Sequence, residues 1–389
     1  MKNVALIFGG RSTEHEVSII TALQILNGYT KEEFNILPIF IDKSNKFYLA
    51  DKNQLKIEDF KHSKLDTKIF TRIYFKVGSN KVYYAKNNKP ILTIDVCINA
   101  CHGGEGENGN LTAMLEMCGI PSSCGNTLGM AVGFDKVASK LMLKASKISV
   151  IDCVWFYKET WENEPTKIIA DLSKKKYPLI VKPARQGSSI GISVAHNPKE
   201  LIEAIKVAFE FDSKVLIERA LKNFSEYNCS AIGFAGGEIE VSKVDEPARL
   251  HEILSFEDKY VGGGKNSQSS KLGKSLSVKG GEKFRGSLAG SRREFLKNEK
   301  LVQKIRSMTI KAMQVLNLSG VIRVDYLFDN KKKKLYLNEI NTIPGSLAFY
   351  FWTQENIDIN KLIEKLVVIA TLNSEHKFNV KTEYITKLI

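Results

Sequence analysis

The sequence predicts an α/β protein whose first part is an open, mainly parallel sheet flanked by helices. Two observations carry this. Over residues 1–130, short apolar runs alternate with amphipathic stretches, as strands alternating with helices do. Two of the runs end in glycine-rich polar loops, after Phe8 and after Asn99. Ligands of such sheets sit at the C-terminal ends of strands.

In chain order, residues 4–8, 34–41 and 92–99 read as strands, and residues 17–28 and 110–118 as helices. A helical stretch over 133–150 carries Lys136, Lys140 and Lys144. Residues 177–181 form a strand that runs into a polar Gly/Ser loop, and 198–209 a helix after an Asn-Pro turn. Residues 215–218 and 227–234 are strands, followed by a turn at Gly236-Gly237. Residues 261–291 are rich in Gly, Ser and Lys and lack periodicity; so long a loop in a compact domain is a lid or a disordered segment. A helix over 292–316 precedes a hairpin, 321–328 and 335–341, turned at Asp329-Asn330. The last helix covers 358–372, with Asp358 as its N-cap.

The 389 residues suffice for two or three domains. Hydrophobic residues at 43% and charged residues at 26% are ordinary for a globular chain. No apolar run approaches the roughly 18 residues that span a bilayer. The apolar start, Val4 to Phe8, is stopped at once by Gly9-Gly10, too early for a signal peptide. These features predict a cytoplasmic protein with no membrane partner. Six cysteines show no CxxC pair and no metal spacing, so buried thiols are expected rather than a redox or zinc centre. The net charge of +14 is spread along the chain without a nucleic-acid-binding motif. It suits a polyphosphate ligand and predicts no nucleic-acid partner.

The hairpin carries the most chemistry. Strand side chains alternate faces, so Arg323 and Asp325 share one face, as do Glu339 and Asn341. With the turn centred near Lys332, Asp325 lies opposite Glu339 and Arg323 opposite Asn341. Facing carboxylates repel, and a hard divalent cation would relieve them, since Asp, Glu and Asn oxygens suit Mg²⁺. The alternative is a plain solvent-facing polar side of a hairpin. Arg323 and the shaped turn Thr342-Ile343-Pro344-Gly345 favour the metal.

The segment Lys182-Pro183-Ala184-Arg185-Gln186-Gly187-Ser188-Ser189-Ile190-Gly191 follows a strand. It is either a plain glycine turn or a phosphate cradle of small residues and hydroxyls. It is no Walker A loop. Lys182 and Lys136 would place two cations near a triphosphate. Glu218 ends a strand where it would meet an adenine amino group, and Glu226 would hold ribose hydroxyls.

These segments, with Phe8-Gly9-Gly10-Arg11-Ser12-Thr13-Glu14-His15-Glu16-Val17-Ser18, His102-Gly103-Gly104-Glu105-Gly106-Glu107-Asn108-Gly109, Asp135-Lys136 and Phe256-Glu257-Asp258-Lys259-Tyr260, follow one order over nearly the whole chain. In that order they resemble the D-alanine–D-alanine ligase family of the ATP-grasp superfamily. The resemblance implies an N-terminal Rossmann-like (preATP-grasp) domain, 1–130, followed by a two-part ATP-grasp fold. Its central part is 131–212, and its C-terminal part is 213–389 with a lid at about 256–291. It implies ATP as substrate, two Mg²⁺ (or Mn²⁺) ions and a homodimer.

Carried over residue by residue, Glu14 would receive the first ammonium, with Ser18 supporting that subsite. His102 would line the second amino-acid subsite. Lys136, Lys182 and Lys259 would hold ATP phosphates with Ser189 beside them, and Glu218 and Glu226 the nucleoside. Ser188 and Tyr260 would form the network that closes over the first substrate. Arg323 and the Gly345 N–H would face the tetrahedral intermediate, and Asp325, Glu339 and Asn341 would bind the metal ions. The implied reaction is ligation of two D-alanines through an acyl phosphate, for peptidoglycan synthesis.

Three places depart from the family pattern. Tyr350 stands where the family has a serine for the second substrate's carboxylate, with Ser346 a replacement for it. Asn108 replaces an aspartate, and the stretch 261–290 is long and basic. The segment 346–352 therefore leaves open a different acceptor: D-lactate, D-serine or another amino acid.

Overall fold

The computed structural model describes residues 1–61, 65–247, 294–378 and 381. The expected lid, with Lys259 and Tyr260, lies outside these residues. The first sheet contains β1 (Lys2–Gly9), β2 (Phe34–Ile41), β3 (Phe47–Ala50), β4 (Phe70–Lys76), β5 (Ser79–Tyr84), β6 (Pro90–Thr93) and β7 (Val96–Asn99). Their order is β6-β5-β4-β3-β2-β1-β7. Only β2, β1 and β7 run parallel; β3 to β6 are antiparallel additions. The mainly parallel sheet expected here is thus a mixed one. The connections 42–46, 77–78 and 85–89 are too short for the crossover a parallel neighbour needs.

The expected strand 92–99 is also corrected. It is two strands on opposite edges of the sheet, broken at 94–95 where Asn3 and Asp95 exchange hydrogen bonds. Flat, those edges would lie about 29 Å apart. The link between β6 and β7 reaches only about 11 Å, so the sheet must coil until its edges approach. Both motif loops sit where expected, at the C-terminal ends of β1 and β7.

The middle sheet is wholly antiparallel: β8 (Cys153–Tyr157), β9 (Leu179–Pro183), β10 (Ser193–Ala195) and β11 (Lys214–Arg219), ordered β10-β9-β11-β8. The stretch 133–150 is not one helix. Helices Thr127–Phe134 and Lys136–Ala145 meet at Asp135, whose carboxylate accepts the N–H groups of Val137 and Ala138 at 2.9 and 3.0 Å and starts the second.

The third sheet holds β12 (Phe224–Phe234), β13 (Ile239–Val241), β14 (Asp245–Glu246), β15 (Glu294–Phe295), β16 (Ser319–Asp329) and β17 (Lys334–Asn341). The order is β15-β14-β12-β16-β17, with β13 also on β12. The helix expected over 292–316 begins at Glu299, capped by Asn298, because residues 294–295 pair with β14 instead. The C-terminal helix Ile359–Phe378 starts at Asp358, which accepts from the Lys361 N–H at 2.9 Å.

One apolar core joins the first sheet to the end of the chain. Val4, Leu6, Phe8 and Ile98 pack with Ile343, Leu347, Phe351, Trp352, Leu362 and Leu366. The middle sheet has its own core around Phe156, Val181, Leu201 and Ile217.

Candidate active site

Lys182, near the end of β9, is buried against Glu218, near the end of β11. Its Nζ donates to Glu218 Oε1 and lies 3.4 Å from Asn338 Oδ1. Lys140, buried on the helix above, approaches the other Glu218 oxygen at 2.9 Å. Burial opposes ionisation of Glu218, but the two lysines outweigh it and hold the carboxyl at about 2. Burial likewise opposes the charge on Lys182, and Glu218 and Glu339 reverse that, raising its pKa. Lys136 opens the helix after Asp135. Its Nζ donates to the Gln186 carbonyl at 2.6 Å and approaches Glu339 at 3.5 Å. Two cations, Lys182 of the middle sheet and Lys136 of the helix, therefore face the C-terminal half of β17.

The hairpin has the register its sequence predicts: Asp325 opposite Glu339, and Arg323 opposite Asn341. A bulge at Asn338 changes the alternation of β17. Leu337 is buried in the core, while Asn338 and Glu339 both reach toward the lysines. The opposition of the two carboxylates is relieved without a metal. Arg323 forks onto Asp325 at 2.7 and 2.8 Å, and Glu339 has Lys136. Burial works against the Arg323 charge, but Asp325 and Tyr350 keep its pKa well above the ordinary value. Asn341 donates to Asp325 at 3.2 Å. Among the described residues no three His, Cys, Asp or Glu side chains form a metal cluster. The trio Asp325, Glu339 and Asn341 still offers only oxygen ligands, the donor type a hard divalent cation takes. Glu226 on β12 lies on the same face as Asn228 and Asp325.

The loop after β17 is strained. Ser346, Leu347 and Ala348 all have positive φ, 55, 46 and 52°, which costs roughly 1–2 kcal/mol per non-glycine residue. The first domain grips this loop. His102 is buried, and its Nδ1 donates to the Ile343 carbonyl at 2.8 Å, which fixes the tautomer. Burial lowers its pKa against the pull of Glu14, so the ring is neutral and Nε2 accepts from Thr21 at 2.8 Å. Thr21 in turn accepts the Ser346 N–H at 3.1 Å. Ser18 accepts the His102 N–H at 2.8 Å. With both ring nitrogens engaged, His102 ties the loop to the first domain.

Glu107 makes the other grip, accepting from Thr342 Oγ1 at 2.8 Å, Ile343 N–H at 3.1 Å and Gly103 N–H at 2.7 Å. Burial, with Glu14 nearby, raises its pKa to about 7 despite those donors. Glu14 is buried and accepts from Ser188 Oγ. A Cβ on Gly187 would crowd the Glu14 carboxylate, which would have to shift away from Ser188. Ser188 and Ser189 adopt positive φ, 50 and 63°. Beside them opens a cleft lined by Arg11, Ser12, Thr13, Gly104, Arg185 and Gln186. Tyr350 is buried, its hydroxyl 3.3 Å from Arg323 Nη1.

The structure thus brings Glu14, Ser18, His102, Lys136, Lys182, Ser188, Glu218, Arg323, Asp325, Glu339, Asn341, Ser346 and Tyr350 around one interdomain region. Glu107, Thr21, Lys140 and Asn338 are participants that sequence reasoning did not single out. Glu107 lies in a quoted motif, yet nothing local separates it from Glu105, which pairs with exposed Arg11.

A family model described as D-ala D-ala ligase N-terminus matches residues 3–124, and one described as D-ala D-ala ligase C-terminus matches 142–279 and 281–368. The D-alanine–D-alanine ligase of Thermosipho melanesiensis is 35% identical over 94% of this chain and 93% of its own. The solved D-alanine–D-alanine ligase of Helicobacter pylori superposes with a TM-score of 0.69 at 27% identity, covering 95% of this chain and 98% of that one. The VanG D-Ala:D-Ser ligase of Enterococcus faecalis gives 0.72 at 25%, covering 95% and 99%.

Proposed function

The chain belongs to the D-alanine–D-alanine ligase family, and from that premise we propose that it uses ATP to join two D-alanines for peptidoglycan synthesis. The observation that carries the site assignment is the meeting of Lys136 with Glu339 and of Lys182 with Asn338, at 3.5 and 3.4 Å, across the gap between the two antiparallel sheets. Cations on one wall and oxygen donors on the other suit a triphosphate with a divalent ion.

Within this reading Lys136 and Lys182 bind the phosphates, with Ser189 beside them, and Glu226 meets the ribose. Glu218 faces the adenine only if it shares its lysine partners. Glu14 and Ser188 hold the first D-alanine by its ammonium and orient its carboxylate toward the γ-phosphate. The carboxylate attacks, ADP leaves, and an acyl phosphate forms. The amine of the second D-alanine then adds to the acyl carbon and phosphate departs. Arg323 and the Gly345 N–H stabilise the oxyanion of that step. Asp325, Glu339 and Asn341 are the residues that would hold two Mg²⁺ ions, whose charge offsets that of the moving phosphoryl group. Lys259 and Tyr260 carry over from sequence as the closing segment. We place the enzyme in the cytoplasm as a homodimer, with domain limits near 130 and 212. Among the described residues no helix is long and apolar enough to cross a membrane.

Tyr350 supports a second reading. Its hydroxyl lies against Arg323, and on this reading D-serine, D-lactate or another amino acid is the acceptor. Phosphate release from ATP and Mg²⁺, scanned over D-alanine, D-serine, D-lactate and L-alanine, decides. D-alanine alone should give one dipeptide per phosphate. Release that needs another acceptor moves the activity to the second reading, and no release with any of them rejects both.

A further inference from the structure

We propose that Glu107 is a positioning residue that holds the 342–348 loop in its reactive shape, acting on the Gly345 and Ser346 N–H groups from a different domain. The proposal rests on the ligase reading above. Three consecutive left-handed residues directly after Gly345 persist only if their surroundings over-determine them. The polar part of these surroundings comes from the first domain. Glu107 Oε1 takes both the Thr342 hydroxyl and the Ile343 N–H, and its Oε2 is anchored by the Gly103 N–H. His102 takes the Ile343 carbonyl, and Thr21 the Ser346 N–H. The loop is thereby pinned on both sides of Gly345. Glu107 makes two of this set's bonds to the loop. Loss of those bonds lets the Gly345 N–H drift from the oxyanion while leaving the lysines and the hairpin carboxylates untouched.

The consequence is specific to the second half of the reaction. An acyl phosphate formed beside a loosened loop waits longer for the amine and is lost to water. Glu107→Ala should lower dipeptide formation about tenfold, leave KM for ATP unchanged and raise the ratio of phosphate to dipeptide above one. Glu107→Gln retains an acceptor oxygen for Thr342 and Ile343 and should restore part of the rate and bring the ratio back toward one. Wild type assayed alongside separates the two ideas, because absent D-alanine-dependent phosphate release there rejects the ligase reading and not the loop assignment. A folded Glu107→Ala enzyme with the wild-type rate and a ratio of one overturns the proposal. So does a slowed enzyme whose ratio stays at one and which Gln does not rescue. Should Glu107→Ala fail to fold, Thr342→Val removes only the hydroxyl donor: a raised ratio supports the proposal, and wild-type rate with a ratio of one overturns it.

Discussion

Glu218 and Glu107 are both buried carboxylates, and their neighbours drive them in opposite directions. Burial penalises the charge on each. At Glu218, Lys140 and Lys182 outweigh it and the folded pKa falls from 4.5 to about 2. Its contribution to stability is therefore complete above pH 4.5 and is lost as the pH falls toward 2. At Glu107, burial and Glu14 outweigh the three hydrogen-bond donors, and the folded pKa rises to about 7. The folded state then keeps a proton that the unfolded chain releases at 4.5. The contribution of Glu107 is greatest below pH 4.5 and declines through pH 7, by about 3 kcal/mol. Urea titrations at stepped pH should show that decline in wild type and its loss in Glu107→Gln; an unchanged decline assigns it to other groups. Glu218→Gln strands two buried lysines and should cost about 3–5 kcal/mol at pH 7. Neither carboxylate's state was legible in the sequence, because each depends on residues more than thirty positions away.

The β16–β17 hairpin shows what an element makes legible. Alternation and turn position alone give Asp325 opposite Glu339 and Arg323 opposite Asn341, as found. The bulge at Asn338 leaves no mark on that pattern, and neither do the pairings of Asp325 with Arg323 and of Glu339 with Lys136, which offset the two facing charges. Because those pairs compensate the carboxylates, the hairpin's metal role can be tested separately from its stability. Glu339→Gln should reduce turnover at least about 100-fold through the loss of a charged ligand. Its unfolding free energy should move by no more than about 1 kcal/mol, since the half-buried pair with Lys136 is long. Turnover near wild type with normal stability would remove Glu339 from the metal set. Elsewhere the helices were read closely where a cap residue marks them, as at Asn197 and Asp358. Hydrophobic periodicity does not reveal the change of sheet edge at Asp95, so it predicts one strand over 92–99 where two form.

At the scale of the whole molecule, the first and last parts of the chain share one apolar core and the middle sheet has its own. Leu362 and Leu366 of the C-terminal helix share a core with Leu6 and Phe8 of β1. Lys31 pairs with Glu364, Thr30 accepts and donates to Asn360, and Glu107 and His102 hold the 342–346 loop. Polar contacts link the middle sheet to these parts at the site, through Lys136, Lys182, Ser188 and Gln186. An opening that admits ATP would therefore proceed by movement of the middle sheet, since separating the first and third sheets would expose a common apolar core. Leu366→Ala tests this coupling. The cavity should cost about 2–5 kcal/mol. If the core is shared, native-state hydrogen exchange should show amides of β1 and β16 losing protection together and by the same amount, while those of β11 keep theirs. Loss confined to the C-terminal helix would mean that the first and third sheets open independently, and that the loop carrying Gly345 is held by polar contacts alone.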